Sequence, residues 1–212
     1  MRGLPRAASI LIWITALAYV FVAAMAWRDY AVYKDDLASW DPAAVDWVDV
    51  LFLVPALSAA VVFVVWLWRA RTAAEAINPW FPHRHDRGWV IASWIVPIVF
   101  LWYPLQVVSD VIAGSTRQVE PGVPEKLPAG SNVVNVWWGT WIAYTLVDLF
   151  PVGPDEDATA SDFLWGAVHP TVTAVLNVVC AVYAVRVIRL VTDLQASTPA
   201  DELAPGLPPY QH

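Results

Sequence analysis

Five stretches of the chain consist almost wholly of apolar residues. They run over residues 7–27, 48–68, 89–109, 133–150 and 167–190. The hydrocarbon core of a bilayer is ~30 Å thick, so a helix needs about 20 apolar residues to cross it. Because lipid offers no partner to an unpaired backbone group, we expect each stretch to be helical. The pattern therefore predicts an all-α, polytopic membrane bundle of five hydrophobic segments, forming one transmembrane domain over residues 1–190.

The first stretch has a second interpretation as a cleaved secretory signal. Arg2 and Arg6 give it a basic start, and Ala24-Met25-Ala26 resembles a cleavage site. The apolar part runs for about 20 residues, whereas a signal core has roughly 7–15. We therefore favour a retained membrane anchor.

The third stretch contains two prolines, Pro97 and Pro104. Each proline removes a backbone donor and disfavours helix in the residue before it. Broken backbone is tolerated at membrane depth where protein or a water-lined cavity surrounds it. Two interpretations stay open: a kinked span that crosses, and a Pro-broken, re-entrant segment that returns to the side it came from.

The distribution of Lys and Arg favours an even number of complete crossings. Cytoplasmic flanks of membrane proteins are enriched in these residues. If all five segments cross, the 12 bases divide six against six. If the third segment returns, only Arg28 and Lys34 lie outside, and ten bases lie inside. A non-crossing fourth segment gives eight against four. Either even arrangement predicts that both termini are cytoplasmic, with the base-free acidic stretch 151–162 outside.

The amino-acid composition argues against several classes of protein. The chain is 58% hydrophobic and 15% charged, with a net charge of −7, so nucleic acid is not an expected partner. A single Cys excludes a disulfide framework and a Cys-based metal cluster. Residues 191–212 are rich in proline and lack apolar periodicity, which predicts a disordered cytoplasmic tail.

A basic stretch between the second and third segments supplies the first set of candidate site residues. Tryptophan beside arginine is typical of the membrane interface, and clustered arginines can hold an anionic lipid headgroup. The alternative is that these bases only fix topology. A metal site is not predicted, because His83 and His85 lie two residues apart and no third ligand is evident. The candidates for the headgroup site are Arg69, Arg71, Arg84, Arg87, His83 and His85.

Three rows of polar and aromatic residues, each at one-face helical spacing, supply the second set. Polar groups inside a membrane face other helices, because exposure of a charge to lipid costs about 2–3 kcal/mol. The rows could join helices by hydrogen bonds or line one polar cavity. We expect the first row to pack toward the second, with an indole N–H donating to the Gln106 amide oxygen. The rows are Trp102, Gln106 and Asp110; Trp141, Thr145 and Asp148, beside Trp137 and Trp138; and His169, Thr173 and Asn177.

Signatures of enzymes are missing from the chain. It contains no GxSxG, no HExxH and no phosphate-binding glycine loop, so no catalytic residue is predicted. His169 is the only histidine within an apolar stretch. A bis-His haem would need His83 or His85 as its second ligand, from the other side of the membrane under the favoured topology. We therefore predict no cofactor.

The order of several short motifs resembles one bacterial membrane family. The motifs are Arg69-Ala-Arg71, Arg87-Gly-Trp89, Trp94-Ile-Val-Pro97, Leu101-Trp-Tyr-Pro-Leu-Gln-Val-Val-Ser-Asp110 and Trp137-Trp-Gly-Thr-Trp141. Together they resemble the family called domain of unknown function 4328, over about residues 45–190. The family has Asn where this chain has Ala73 and Phe100, and Trp where it has Ile112. The resemblance implies a multi-pass membrane protein and supplies no activity.

These observations lead to one principal hypothesis and two rivals. The principal hypothesis is a non-enzymatic integral protein of the bacterial plasma membrane, an accessory or lipid-binding component of a larger assembly. Its expected partners are membrane lipids, anionic ones included, and other membrane proteins or further copies of itself. The rivals are a small transporter or channel that uses the polar rows, and a membrane enzyme or haem protein whose site is not recognised.

Overall fold

The computed structural model describes residues 3–35, 43–116, 131–150, 152 and 158–197. Over these residues the chain forms helices and no strand, so the predicted all-α class is confirmed. A 3-10 turn over Val99–Leu101 lies between the third and fourth helices. The α-helices are α1 (Gly3–Asp35), α2 (Ala43–Ile77), α3 (Trp89–Ala92), α4 (Tyr103–Gly114), α5 (Ser131–Asp148) and α6 (Ala160–Ala196).

Three of the described helices are long and apolar enough to cross a membrane. They are Gly3–Lys34, Leu53–Ile77 and Ala160–Ala196, with 32, 25 and 37 residues. Each is longer than the apolar stretch that predicted it, because a helix continues into the polar residues beyond the hydrocarbon. α5 is shorter, with 18 residues.

The predicted tail boundary at residue 191 is wrong, because α6 continues to Ala196. Val191 is fully buried, and Leu194 packs against the core. Gln195 Nε2 donates to the carbonyl of Ala70 at 2.8 Å and to Ser115 Oγ at 3.0 Å. These contacts order the end of α6. Residues 198–212, the rest of the predicted tail, lie outside the described residues.

α1 and α5 both pack along α6, and both run antiparallel to it. α2 packs against α1 and against the short helices that follow it. The contacts that fix the antiparallel directions join Trp27 to Thr171, Tyr33 to Phe163, Trp137 to Cys180 and Val147 to His169.

Residues 89–116 form a hairpin of short helices between α2 and α5. α3 ends at Ala92, and α4 begins only at Tyr103. Between them Ile98 has φ 67° and ψ −52°, and Val99 N–H donates to the Pro97 carbonyl at 2.7 Å. This is a γ-turn of the rare, strained kind.

Both ends of the 89–116 hairpin lie at the same end of the bundle. At its start Trp89 contacts Tyr103 edge to face, with ring centroids 4.8 Å apart. At its finish Gly114 lies against the ring of His83, and Ser115 bonds to Gln195. We call this end, which also holds Arg71, the basic end.

α4 is the most buried part of the hairpin. Val107, Val108, Val111 and Ile112 are each at most 2% exposed. They pack with Leu67, Val134, Val187, Ile188 and Val191 in one cluster. Lipid tails are as apolar as these side chains, so close packing rather than escape from water stabilises such a cluster within a membrane.

Candidate functional site

A buried carboxylate holds the loop after α2 onto α4. Asp110 is 3% exposed. Its Oδ2 accepts from the backbone N–H of Arg84 at 2.8 Å, and its Oδ1 accepts from Arg84 Nε, also at 2.8 Å. A buried carboxylate without such partners would cost several kcal/mol, on the order of 3–5. Asp110 therefore fixes the position of Arg84.

A second acid, Glu75, joins two arginines at the basic end. Arg71 Nε donates to its Oε1 at 2.7 Å, and Arg87 Nε donates to its Oε2 at 2.6 Å. Arg71 also donates to the carbonyl of His85 at 3.0 Å. α2 and the loop after it are thus linked by one polar network.

The two histidines of the loop point into the protein. His85 Nε2 lies 2.6 Å from Gln106 Oε1, and its ring stacks on Tyr103 with centroids 4.1 Å apart. His83 lies against Gly114, and neither of its ring nitrogens has a hydrogen-bond partner among the described residues. Burial lowers the pKa of His83, and the nearby Arg71 lowers it further. Both effects favour the neutral form of the His83 ring.

The structure brings the six headgroup candidates to one end of the bundle but leaves only half of them facing outward. Arg71 is 4% exposed and already bonded, and His83 and His85 are turned inward. Arg71, His83 and His85 therefore do not face the surface at which a headgroup would bind. Arg69, Arg84 and Arg87 are exposed.

The first polar row is arranged differently from the prediction. Trp102 precedes α4 and is 41% exposed, because the helix begins one residue later. The expected indole partner of Gln106 is wrong, since Gln106 bonds to His85. The indole of Trp138 instead donates to the carbonyl of Leu101 at 2.9 Å, at the break in the helix.

The second and third rows meet near the far end of α5. Asp148 accepts from the hydroxyl of Tyr19 at 3.0 Å. His169 Nε2 lies 3.1 Å from the carbonyl of Val147, whereas Thr173 donates to its own helix. The three rows do not converge on one polar cavity.

The helices instead enclose an apolar cavity of about 460 Å³, within the range of roughly 300–1,000 Å³ usual for ligand pockets. α1, α2, α5, α6 and the hairpin all contribute to its walls. Of the three rows and the two tryptophans beside the second row, only Trp137, Trp141 and Asn177 line it. Asn177 is 7% exposed, and its amide has no hydrogen-bond partner among the described residues.

An aromatic cluster forms one wall of this cavity, and Trp94 lies at its centre. The Trp94 ring meets those of Phe63, Trp138 and Trp141 nearly edge to face, with centroids 5.8–5.9 Å apart. Trp138 and Trp141 stack at 4.6 Å. Such pairs are worth about 0.5–1.5 kcal/mol beyond the area they bury. The cluster fixes the hairpin against α2 and α5.

Sequence reasoning missed Glu75, Tyr103 and Trp94. Glu75 lies four residues after Arg71 on one helix, a spacing that indicates an ion pair. Trp94 and Tyr103 lie within the motifs of the family resemblance, but their contacts could not be predicted, because their partners come from other segments.

Metal and haem ligands are not assembled in the part of the chain that the structure describes. Those residues hold no group of three or more His, Cys, Asp or Glu that could bind a metal ion. His169 lies beside the end of α5, and His83 and His85 lie at the basic end. His169 therefore lies toward the opposite end of the bundle from His83 and His85.

Fold and site define a helical protein of membrane character with a tryptophan-rich interior. The chain matches the family model "Domain of unknown function (DUF4328)" over residues 28–193 and belongs to that family. No curated protein and no solved structure is significantly similar to the chain.

Proposed function

We propose that the chain is a multi-pass protein of the bacterial plasma membrane that crosses the bilayer four times. α1, α2, α5 and α6 are the crossings. α5 has 18 residues and a length of about 27 Å, close to the ~30 Å of the hydrocarbon. The 89–116 hairpin enters and leaves on one side, which its contacts with His83 and Gln195 support.

The basic end is cytoplasmic in this proposal, and both termini lie on that side. The charge distribution supports it, since ten of the 12 bases then lie inside and only Arg28 and Lys34 lie outside.

The protein functions as a non-enzymatic lipid-binding component of the membrane. The observation that carries this is the fixed position of Arg84 and Arg87. Asp110 and Glu75 hold these side chains by their inner edges, while 54% and 56% of the side chains stay exposed. A guanidinium has five donors, so its outer edge is free to bind a phosphate oxygen.

Two further groups at the basic end add to this site. Arg69 is exposed at the end of the apolar part of α2, and Trp80 is 90% exposed in the same loop. A tryptophan ring of this kind lies at headgroup depth. Each base near an anionic surface contributes about 1 kcal/mol, so three together retain a lipid.

The test is lipid retention by the full chain in native mass spectrometry after purification in mild detergent. Arg69→Gln with Arg87→Gln is expected to reduce bound anionic lipid. The control, Arg28→Gln with Lys34→Gln, changes the net charge equally at the opposite end and is expected to leave retention unchanged. Equal retention in both double variants would contradict a headgroup site and leave topology as the only role of the bases.

The rival functions have less support. A polar pathway needs the three rows to meet, and Gln106 and Asp110 are bonded to His85 and Arg84 instead. Association with other membrane proteins, or with further copies of the chain, stays a prediction.

A further inference from the structure

The apolar cavity is separate from the headgroup site and lies deeper in the bundle. Asn177 is on α6 between Phe163, which contacts Tyr33 at one end, and Gln195, which contacts Ala70 at the other. At 1.5 Å per residue it lies about 21 Å from the first and about 27 Å from the second. The cavity is thus near the middle of the spanning helices.

The cavity is open at the side of the bundle, between α2 and the hairpin. Val61 of α2 and Ile95 of the hairpin line it and are also 62% and 73% exposed. Val61 belongs to the part of α2 that is long and apolar enough to cross a membrane. A molecule reaching the cavity between these two side chains would therefore come from the hydrocarbon layer.

The walls restrict the chemistry of such a molecule. Small residues of α2 and α6, including Ala59 and Ala184, leave the space, and Trp137 and Trp141 give it flat apolar surfaces. A charged headgroup at this depth would cost about 2–3 kcal/mol or more without a partner. The occupant must therefore be neutral and largely apolar.

The polar groups of the cavity wall include the side-chain amide of Asn177. The Asn177 amide is more than nine-tenths buried and unbonded among the described residues, and it carries both donors and an acceptor. Buried polar groups are almost always hydrogen-bonded, and an exception points to a missing partner.

We infer that the cavity binds a neutral lipid whose polar group, a carbonyl or a hydroxyl, hydrogen-bonds to Asn177. A lipid-soluble quinone and a long-chain alcohol both have this chemistry. The inference rests on the proposed function only in that both need a protein embedded in lipid.

The experiment uses the tryptophans around the cavity as reporters. The full chain in mild detergent is titrated with a decyl-substituted benzoquinone and, separately, with dodecanol, and saturable changes in tryptophan fluorescence are measured. We expect binding of at least one probe. Asn177→Leu should weaken it by about two- to tenfold, as loss of one hydrogen bond predicts.

Asn135→Leu is the matched control, because Asn135 is exposed on α5 and does not line the cavity. It should leave the affinity unchanged. Ala60→Leu, which narrows the cavity from an exposed position, should weaken the binding of any probe that binds the unmodified chain, without altering helix content. The probe that binds more tightly shows whether the natural ligand resembles a quinone or a long-chain alcohol.

Three results would overturn the inference. They are no saturable binding of either probe, equal affinity of Asn177→Leu and the unmodified chain, and competition by phosphatidylglycerol that depends on Asn177. The Arg69 and Arg87 double variant should bind both probes normally, so failure of the headgroup site and failure of the cavity site give different results.

Discussion

At the scale of single residues, stability at the basic end depends on a few buried polar groups whose partners come from distant parts of the chain. Asp110 and Arg84 are 26 residues apart, and nothing in their local sequence predicts the pair. Glu75 and Arg71 share a helix, so their pair could have been predicted. Side chains that meet only because a segment folds back are beyond the reach of spacing rules.

Replacing Asp110 with alanine should lower the free energy of unfolding by about 1.5–3 kcal/mol, the usual worth of hydrogen bonds to a charged group. The variant leaves the backbone N–H of Arg84 without its acceptor. Unfolding by titration with SDS would measure the loss. Asp86→Ala removes an exposed acid from the same loop and should change little.

Acidification should destabilise the protein partly through His83. Because its pKa is lowered in the folded state, the unfolded chain binds the proton more readily, and stability falls as pH drops below about 6.5. His83→Gln should reduce the difference between melting temperatures at pH 7.5 and pH 5.5. His169→Gln is the comparison variant. If both variants reduce the difference in melting temperature equally, His83 is not the cause of the pH dependence.

At the scale of elements, the apolar stretches predicted where the helices lie but not how the third one bends. The break in residues 93–102 depends on the aromatic cluster and on Trp138 bonding to Leu101, which come from separate segments. The prolines indicated a weak point in the helix, and tertiary contacts decide its geometry. The helices were predicted too short, because hydropathy marks the part of a helix that lies in hydrocarbon and not the polar turns beyond it.

The γ-turn at Ile98 gives a prediction for the hairpin. A β-branched residue at φ 67° is strained by about 1–3 kcal/mol. Ile98→Gly should therefore stabilise the protein, even after the entropy cost of glycine, about 0.5–1 kcal/mol. Ile95→Gly, at a similarly exposed position, should destabilise it. SDS titration of both variants checks the sign, and destabilisation by Ile98→Gly would contradict a strained turn.

At the scale of the whole molecule, charge distribution and hairpin geometry both support the proposed topology. The positive-inside rule needs only the sequence, while the return of the chain at Gly114 needs the structure. The cavity could not be predicted, because its walls come from five separate parts of the chain.

A cysteine placed at Ala158, between α5 and α6, should react with a membrane-impermeant maleimide from outside the cell. The lone native thiol, Cys180, is buried, so background labelling should be low. A cysteine at Trp80, in the loop after α2, should react with the same maleimide only after the membrane is opened. Labelling of Ala158 only after opening would contradict four crossings.

The large sequence separation between α1 and α6, which pack together, has a consequence for how the protein is made. Trp27 meets Thr171, its hydrogen-bond partner, across a separation of 144 residues. A ribosome adds about 5–20 residues per second, so roughly 7–29 s pass between the synthesis of these two residues. During that time α1 lacks α6, and α2 is the main helix available for it to pack against. Any factor that binds newly inserted helices would therefore meet α1 first and could stay on its α6-facing side until α6 is made.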